Sequence, residues 1–155
     1  MDANDLASFM EDEGIQGEIV FLTVETPTVE AAAAAVGVHQ GQIGKSILFF
    51  AQGNPLLIIA NGSTRVSYIR LAKYLGINRK KLKLAKANQV LETTGYPVGT
   101  VPPFGHRRPI KTLIEQGVLA EKEIYAGGGA INALLRMATA ELVHVTGATV
   151  IDLGS

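Results

Sequence analysis

The chain contains no cysteine and no tryptophan, and only 6% of its residues are aromatic. Without cysteine there can be no disulfide framework, thiolate zinc site, cysteine nucleophile or iron-sulfur cluster. The histidine count of 3 argues against a His-rich metal site, so neither metal nor cofactor is expected. Long apolar runs are also missing. The longest, Ser46 to Ala51 and Leu56 to Ala60, fall far short of the ~20 residues that cross a bilayer as a helix, so no membrane partner is expected. The first residues carry Asp2, Asp5, Glu11, Asp12 and Glu13 where a secretory leader needs positive charge followed by an apolar run. A cytoplasmic location is the expectation, and the lack of cysteine fits a reducing compartment. No repeat and no low-complexity tract occurs beyond Ala31 to Ala35, which excludes a solenoid.

What is present is 155 residues of which 47% are hydrophobic. A chain of that length buries roughly two-thirds of its unfolded surface and needs no covalent staple. A single domain spanning 1–155 is the expectation. The formal net charge is +0, yet the segment from Arg65 to Lys111 holds 11 of the 14 bases and one acid, Glu92, for a net of +10. The rest of the chain carries −10. Such segregation fits a polyanion bound on one side, and equally a solvated basic surface.

Apolar spacing and caps predict a helix over Asn4 to Glu13 closed by Gly14, and a strand over Glu18 to Thr23. A second helix over Val29 to Val36 lies between an N-cap at Thr28 and a stop at Gly37. Lys45 to Ala51 and Leu56 to Ala60 read as a hairpin with the four-residue connection Gln52-Gly-Asn-Pro55. Further helices are expected over Ser67 to Leu75, from an Asn88 cap to Thr94, and from Thr139 onward. Strands are expected over Lys111 to Ile114, Glu123 to Ala126, Ile131 to Met137 and Thr149 to Leu153. The segment Gly95 to Gly105 packs three glycines and three prolines into eleven positions and reads as a stiff, shaped loop. The whole is a mixed α/β chain.

Gly44-Lys45-Ser46 suggests a phosphate-binding P-loop, but His39 stands where that motif requires glycine, and a strand follows instead of a helix. Lys45 therefore reads either as a lysine snorkelling at a strand end or as one held to meet an anion. Gly127-Gly-Gly129 fits a backbone nest around an oxyanion or a plain turn. The loop Gly99 to Pro103 can offer backbone donors at little entropy cost, as an oxyanion site requires. His39, His106 and His144 form no triad with a serine, Glu115 is an isolated carboxylate, and His106 adjoins Arg107 and Arg108 in a basic turn.

Taken in order, Pro27 to Val38, Gly41 to Phe50 and Thr94 to Gly105 resemble the YbaK/ProX family of aminoacyl-tRNA deacylases, which is related to the editing domain of bacterial-type prolyl-tRNA synthetases. The resemblance implies a mixed, β-barrel-like sheet flanked by helices. It implies that Lys45 is the functional lysine and that Gly99, Thr100, Val101, Pro102 and Pro103 form the substrate loop. Gly127 and Gly128 match a glycine pair lining the same pocket. Thr23, Ser46, Phe104, Gly105 and Ala126 are assigned to substrate binding beside them. Several relatives carry serine at Ala126 and aspartate at Glu115, so the resemblance speaks to the reaction more than to the amino acid.

On this reading the chain hydrolyses, in trans, the ester of a small mischarged residue (alanine, cysteine or serine) on tRNA, with proline tRNA the expected carrier. The acceptor end would meet Arg65, Arg70, Lys73, Arg79, Lys80, Lys81, His106, Arg107 and Arg108, and an aminoacyl-tRNA synthetase is a further partner the resemblance allows. A non-catalytic module that holds a tRNA end or nucleotide beside a synthetase fits the charge pattern equally well.

Overall fold

The computed structural model describes all 155 residues. Five helices surround one eight-stranded mixed sheet. The helices are α1 (Ala3–Glu13), α2 (Val29–Val36), α3 (Tyr68–Leu75), α4 (Ala87–Thr94) and α5 (Thr139–Thr146). The strands are β1 (Glu18–Phe21), β2 (Ile43–Ala51), β3 (Asn54–Asn61), β4 (Leu82–Leu84), β5 (Lys111–Glu115), β6 (Glu123–Gly127), β7 (Ala133–Ala138) and β8 (Thr149–Ile151). The ladder runs β1-β7-β6-β2-β3-β5-β8, with β4 also on β2. No helix is long and apolar enough to cross a membrane.

The helix ends follow local chemistry. Asp2, Thr28 and Ser67 accept backbone N–H groups at the starts of α1, α2 and α3, and Gly14, Gly37 and Gly76 close the same helices in the left-handed conformation. The fourth helix begins at Ala87, ahead of the expected Asn88 cap. Here the Gln89 side chain accepts the Lys86 N–H at 2.8 Å and does the capping.

The central strand β3 is apolar without alternation because both of its faces are covered. Leu57 and Ile59 enter a core of 16 buried residues that also holds Leu6, Leu48, Val101, Phe104 and Ala126. Leu56, Ile58 and Ala60 enter a second core of 10 with Phe49, Leu71 and Leu82. Ala32, Ala33, Ile43 and Leu134 make a small third cluster beneath α2, where the alanines allow close approach.

The hairpin is tighter than expected. Only Gln52 and Gly53 connect β2 to β3, with φ of 51° and 83°, the paired left-handed conformation of a type I′ turn. Pro55 is admitted to the strand by the pairing geometry. Gly62 donates to the Ile43 carbonyl and Ala85 to the Leu48 carbonyl, so odd-numbered residues of β2 bond to β3 and even-numbered ones face the opposite edge. Pro55 lies opposite Phe50, an even position, and β5 joins β3 only from Leu56. Its missing N–H is therefore not needed.

That opposite edge of β2 is shared between two strands. Ile43 and Gly44 pair in parallel with β6, whereas Phe49, Phe50 and Ala51 pair with β4. Lys45 to Ile47 lie in the gap between them. The strand β4 was not expected from the sequence, and without it the gap would not exist. Three other expected strands end differently: β1 stops at Phe21, β7 starts at Ala133 and β8 stops at Ile151. In each case the excess residues bond outside the ladder. The Leu22 and Thr26 N–H groups reach the Asn132 and Ile131 carbonyls, and Leu153 accepts from Ser67.

Candidate active site

The gap opens into a cavity of about 320 Å³. Its walls come from β2, the start of α2, the end of β4, the loop before β5 and the end of β6. Apolar side chains dominate, among them Val29, Ile43, Leu48, Ala85, Val90, Val98, Val101 and Leu134. Thr26, Thr28, Lys45 and Ser46 supply the polar side chains, and no carboxylate, imidazole or thiol reaches the lining.

Lys45 stands at the mouth, half-buried and outside every ion pair of the molecule. Burial holds its ammonium below the usual lysine pKa, the nearby Arg65 adds to that, and Glu30 opposes it. Ser46 follows, with its backbone N–H and carbonyl directed toward the gap by the alternation along β2. Its hydroxyl is buried and has no hydrogen-bond partner. In a cavity otherwise this apolar, an unpaired hydroxyl is a handle for a ligand's polar atom.

The shaped loop forms the facing wall. Thr100 is tied down: its N–H and its hydroxyl both donate to the Pro97 carbonyl, at 3.1 and 2.7 Å, and its own carbonyl accepts from Gly129 at 3.0 Å. Pro102 and Pro103 have no N–H. The donors left without an internal acceptor on cavity-lining loop residues are therefore the N–H groups of Val98, Gly99 and Val101, of which Val98 belongs to an exposed residue. Gly99 has φ +88° and lies against the Pro27 backbone, so a side chain there is strained. At Gly127 a Cβ would stand 2.1 Å from the Val101 carbonyl oxygen, so only glycine lets β6 touch the loop.

Of the residues assigned from sequence, Lys45, Ser46, Gly99, Val101, Ala126 and Gly127 line one cavity. Thr100, Pro102 and Pro103 brace the loop from behind, all three buried. Phe104 and Gly105 lie outside the lining. The Phe104 ring stacks on Phe9 of α1 at 6.1 Å, and Gly105 abuts the same ring, so both anchor the loop to the core. Gly128 packs on the Ala133 backbone, where a Cβ would approach to 2.5 Å. Thr23 is exposed just past β1 and away from the lining, and the threonines that do line it are Thr26 and Thr28. Sequence reasoning missed these two, along with Leu84 and Ala85. Only Thr28 carried a signal, as a helix cap.

His106 is not a solvated basic turn. Its Nε2–H donates to the Pro102 carbonyl at 2.7 Å, and burial lowers its pKa against the opposing effect of that bond. Glu115 is buried and accepts the N–H groups of Gly117 and Leu153 at 2.7 and 2.8 Å, which makes it a structural anchor.

The aminoacyl-tRNA editing domain matches residues 23–145, a span that contains every wall of the cavity. The chain belongs to the aminoacyl-tRNA editing domain family. Among its relatives in that family, the uncharacterized YwhH of Bacillus subtilis is 26% identical over 128 residues, covering 82% of this chain and 80% of that protein. The proline–tRNA ligase of Thermosipho melanesiensis is 30% identical over 77% of this chain, which spans only 20% of the ligase. A crystal structure described as a candidate trans-editing enzyme for prolyl-tRNA synthetase superposes with a TM-score of 0.91 at 33% identity, covering 99% of this chain and 96% of that one. The two share the editing fold over nearly all of the residues compared.

Proposed function

We propose that this chain is a trans-acting aminoacyl-tRNA deacylase that hydrolyses the ester of a small mischarged amino acid, of the alanine, cysteine or serine class, on proline tRNA. The observation that carries the reading is a small apolar cavity whose lining holds Lys45 together with Gly99 and Val101, two loop residues whose N–H groups have no acceptor within the chain.

An aminoacyl ester is already activated, so the protein must orient water and substrate and stabilise the oxyanion that forms. The Gly99 and Val101 N–H groups, on a loop braced by Thr100, His106 and Phe104, meet that oxyanion without reorganising. Lys45 at the mouth holds a ribose or phosphate oxygen. No carboxylate or imidazole lines the cavity, so the substrate's own free amine takes the proton from the attacking water, or a ribose hydroxyl relays it, accepting that proton while giving its own to the departing ester oxygen. Cavity size excludes larger residues, though apolar walls separate side chains one methylene apart by only ~1–3 kcal/mol.

The test follows loss of labelled alanine, cysteine, serine and proline from proline tRNA with wild type and Lys45→Ala. Rapid release of one small residue is expected, falling about 10- to 100-fold in the variant for a lost charged hydrogen bond. Release at the spontaneous rate for every ester would overturn the enzyme reading.

A further inference from the structure

A groove of about 690 Å³ adjoins the cavity, and the two share Lys45, Ile47 and Leu84. Its other walls include Phe49, Val66 and Tyr68, which belong to the second core or pack on it, whereas the cavity is walled by Leu48, Val90, Val101 and Ala126 of the first. Lys45 therefore borders both. We propose that this groove seats the unpaired nucleotides that precede the esterified ribose, so that the RNA strand lies along the groove and delivers its aminoacyl group past Lys45 into the cavity. This rests on the deacylase reading and assigns the strand a path.

Three observations support the occupant. The floor is apolar and rigid. Tyr68 meets Phe49 edge-on at 5.2 Å and carries the Arg79 guanidinium 4.5 Å above its ring, so it is locked before any ligand arrives. Leu84 beside it is 52% exposed, apolar surface of the kind on which bases pack. The charge is complementary to phosphate: Arg65 lines the groove, Lys45 stands at its end, and neither joins an ion pair. Burial and mutual repulsion already depress Lys45, a cost that a bound anion relieves. Finally, the groove shares Lys45, Ile47 and Leu84 with the cavity, whereas Arg107 and Arg108, also basic, lie outside its lining, with Arg107 bonded to the Glu92 carbonyl.

Two substrates and one binding measurement separate the outcomes. A 3′-aminoacyl-adenosine lacks the preceding phosphate and nucleotides, and aminoacylated tRNA has them. Arg65→Ala removes one of the groove's two cations, and Ser63→Trp fills the groove from its exposed rim without touching the cavity. Both variants are expected to lower kcat/KM on tRNA about tenfold and to weaken binding of a dye-labelled single strand ending C-C-A by a similar factor, and Ser63→Trp, which leaves the charges around Lys45 in place, is expected to leave aminoacyl-adenosine turnover unchanged. Unchanged strand binding in both variants, or equal loss on both substrates for Ser63→Trp, would overturn the proposal. A wild-type protein that binds the strand through Arg65 and Ser63 yet hydrolyses neither ester would uphold the groove and overturn the deacylase reading.

Discussion

Two buried hydroxyls have no partner, and their surroundings give them opposite meanings. Tyr96 is fully buried in the main core, and burial, with Asp5 and Asp2 adding to it, pushes its phenol up to about 12. Nothing there awaits a ligand, so its hydroxyl is a plain desolvation cost. Ser46 is equally unpaired but lines the cavity. Tyr96→Phe is expected to leave turnover unchanged and to raise stability by up to ~1 kcal/mol, since the orphaned hydroxyl is removed. Ser46→Ala is expected to preserve or slightly raise the melting temperature while lowering kcat/KM on the mischarged ester about tenfold. A Ser46→Ala protein that melts earlier with unaltered kinetics would make the serine structural.

The loop and the elements behind it work as one unit. Phe104 is fixed by α1, Thr100 by Pro97 and Gly129, and Pro102 by His106. Because burial lowers the His106 pKa from 6.5, the folded chain resists its protonation. Above pH 6.5 both folded and unfolded chains hold it neutral and it contributes nothing. Below that value the unfolded chain takes up the proton first, so stability declines as pH falls, and levels off once the folded value is passed. His106→Gln keeps a donor toward Pro102 and cannot titrate. Denaturant titrations from pH 7 to pH 4.5 are expected to show a shallower decline for this variant, and parallel curves would remove His106 from the pH response.

Much of this unit was legible in the sequence. Glycine and proline density marked the loop, and cap residues marked α1 to α3. The three-residue β4 was not, because Leu82-Lys83-Leu84 is too short to show a period and sits in a basic run that reads as surface. The gap in β2 was hidden for a related reason: periodicity reports which face a residue takes, not that one strand edge is divided between two partners. Phe104 was misplaced because neighbours in a loop can point to opposite sides, one to the cavity and the next to the core.

At the scale of the molecule the charge ledger is zero, and its distribution decides what the protein meets. Within the basic segment only Arg70 joins an ion pair, with Asp152 at 3.1 Å. Lys73, Lys80, Lys81 and Lys83 are exposed on α3, on the turn before β4 and on β4 itself. These are the same elements that border the groove. Unpaired cations on a surface retain their counter-charge from solution, and a nucleic acid that displaces it gains affinity that salt removes. Affinity for uncharged proline tRNA is therefore expected to fall linearly on a log–log plot against salt, with ~0.7–0.9 of slope for each phosphate met. Replacing Lys80 and Lys81 together with alanine is expected to reduce that slope by about one to two if both meet phosphates. Hydrolysis of aminoacyl-adenosine, which has no phosphate, is expected to stay nearly flat across the same salt range. A slope unmoved by the double variant would place the RNA backbone on another face and leave the lysines as solvated surface.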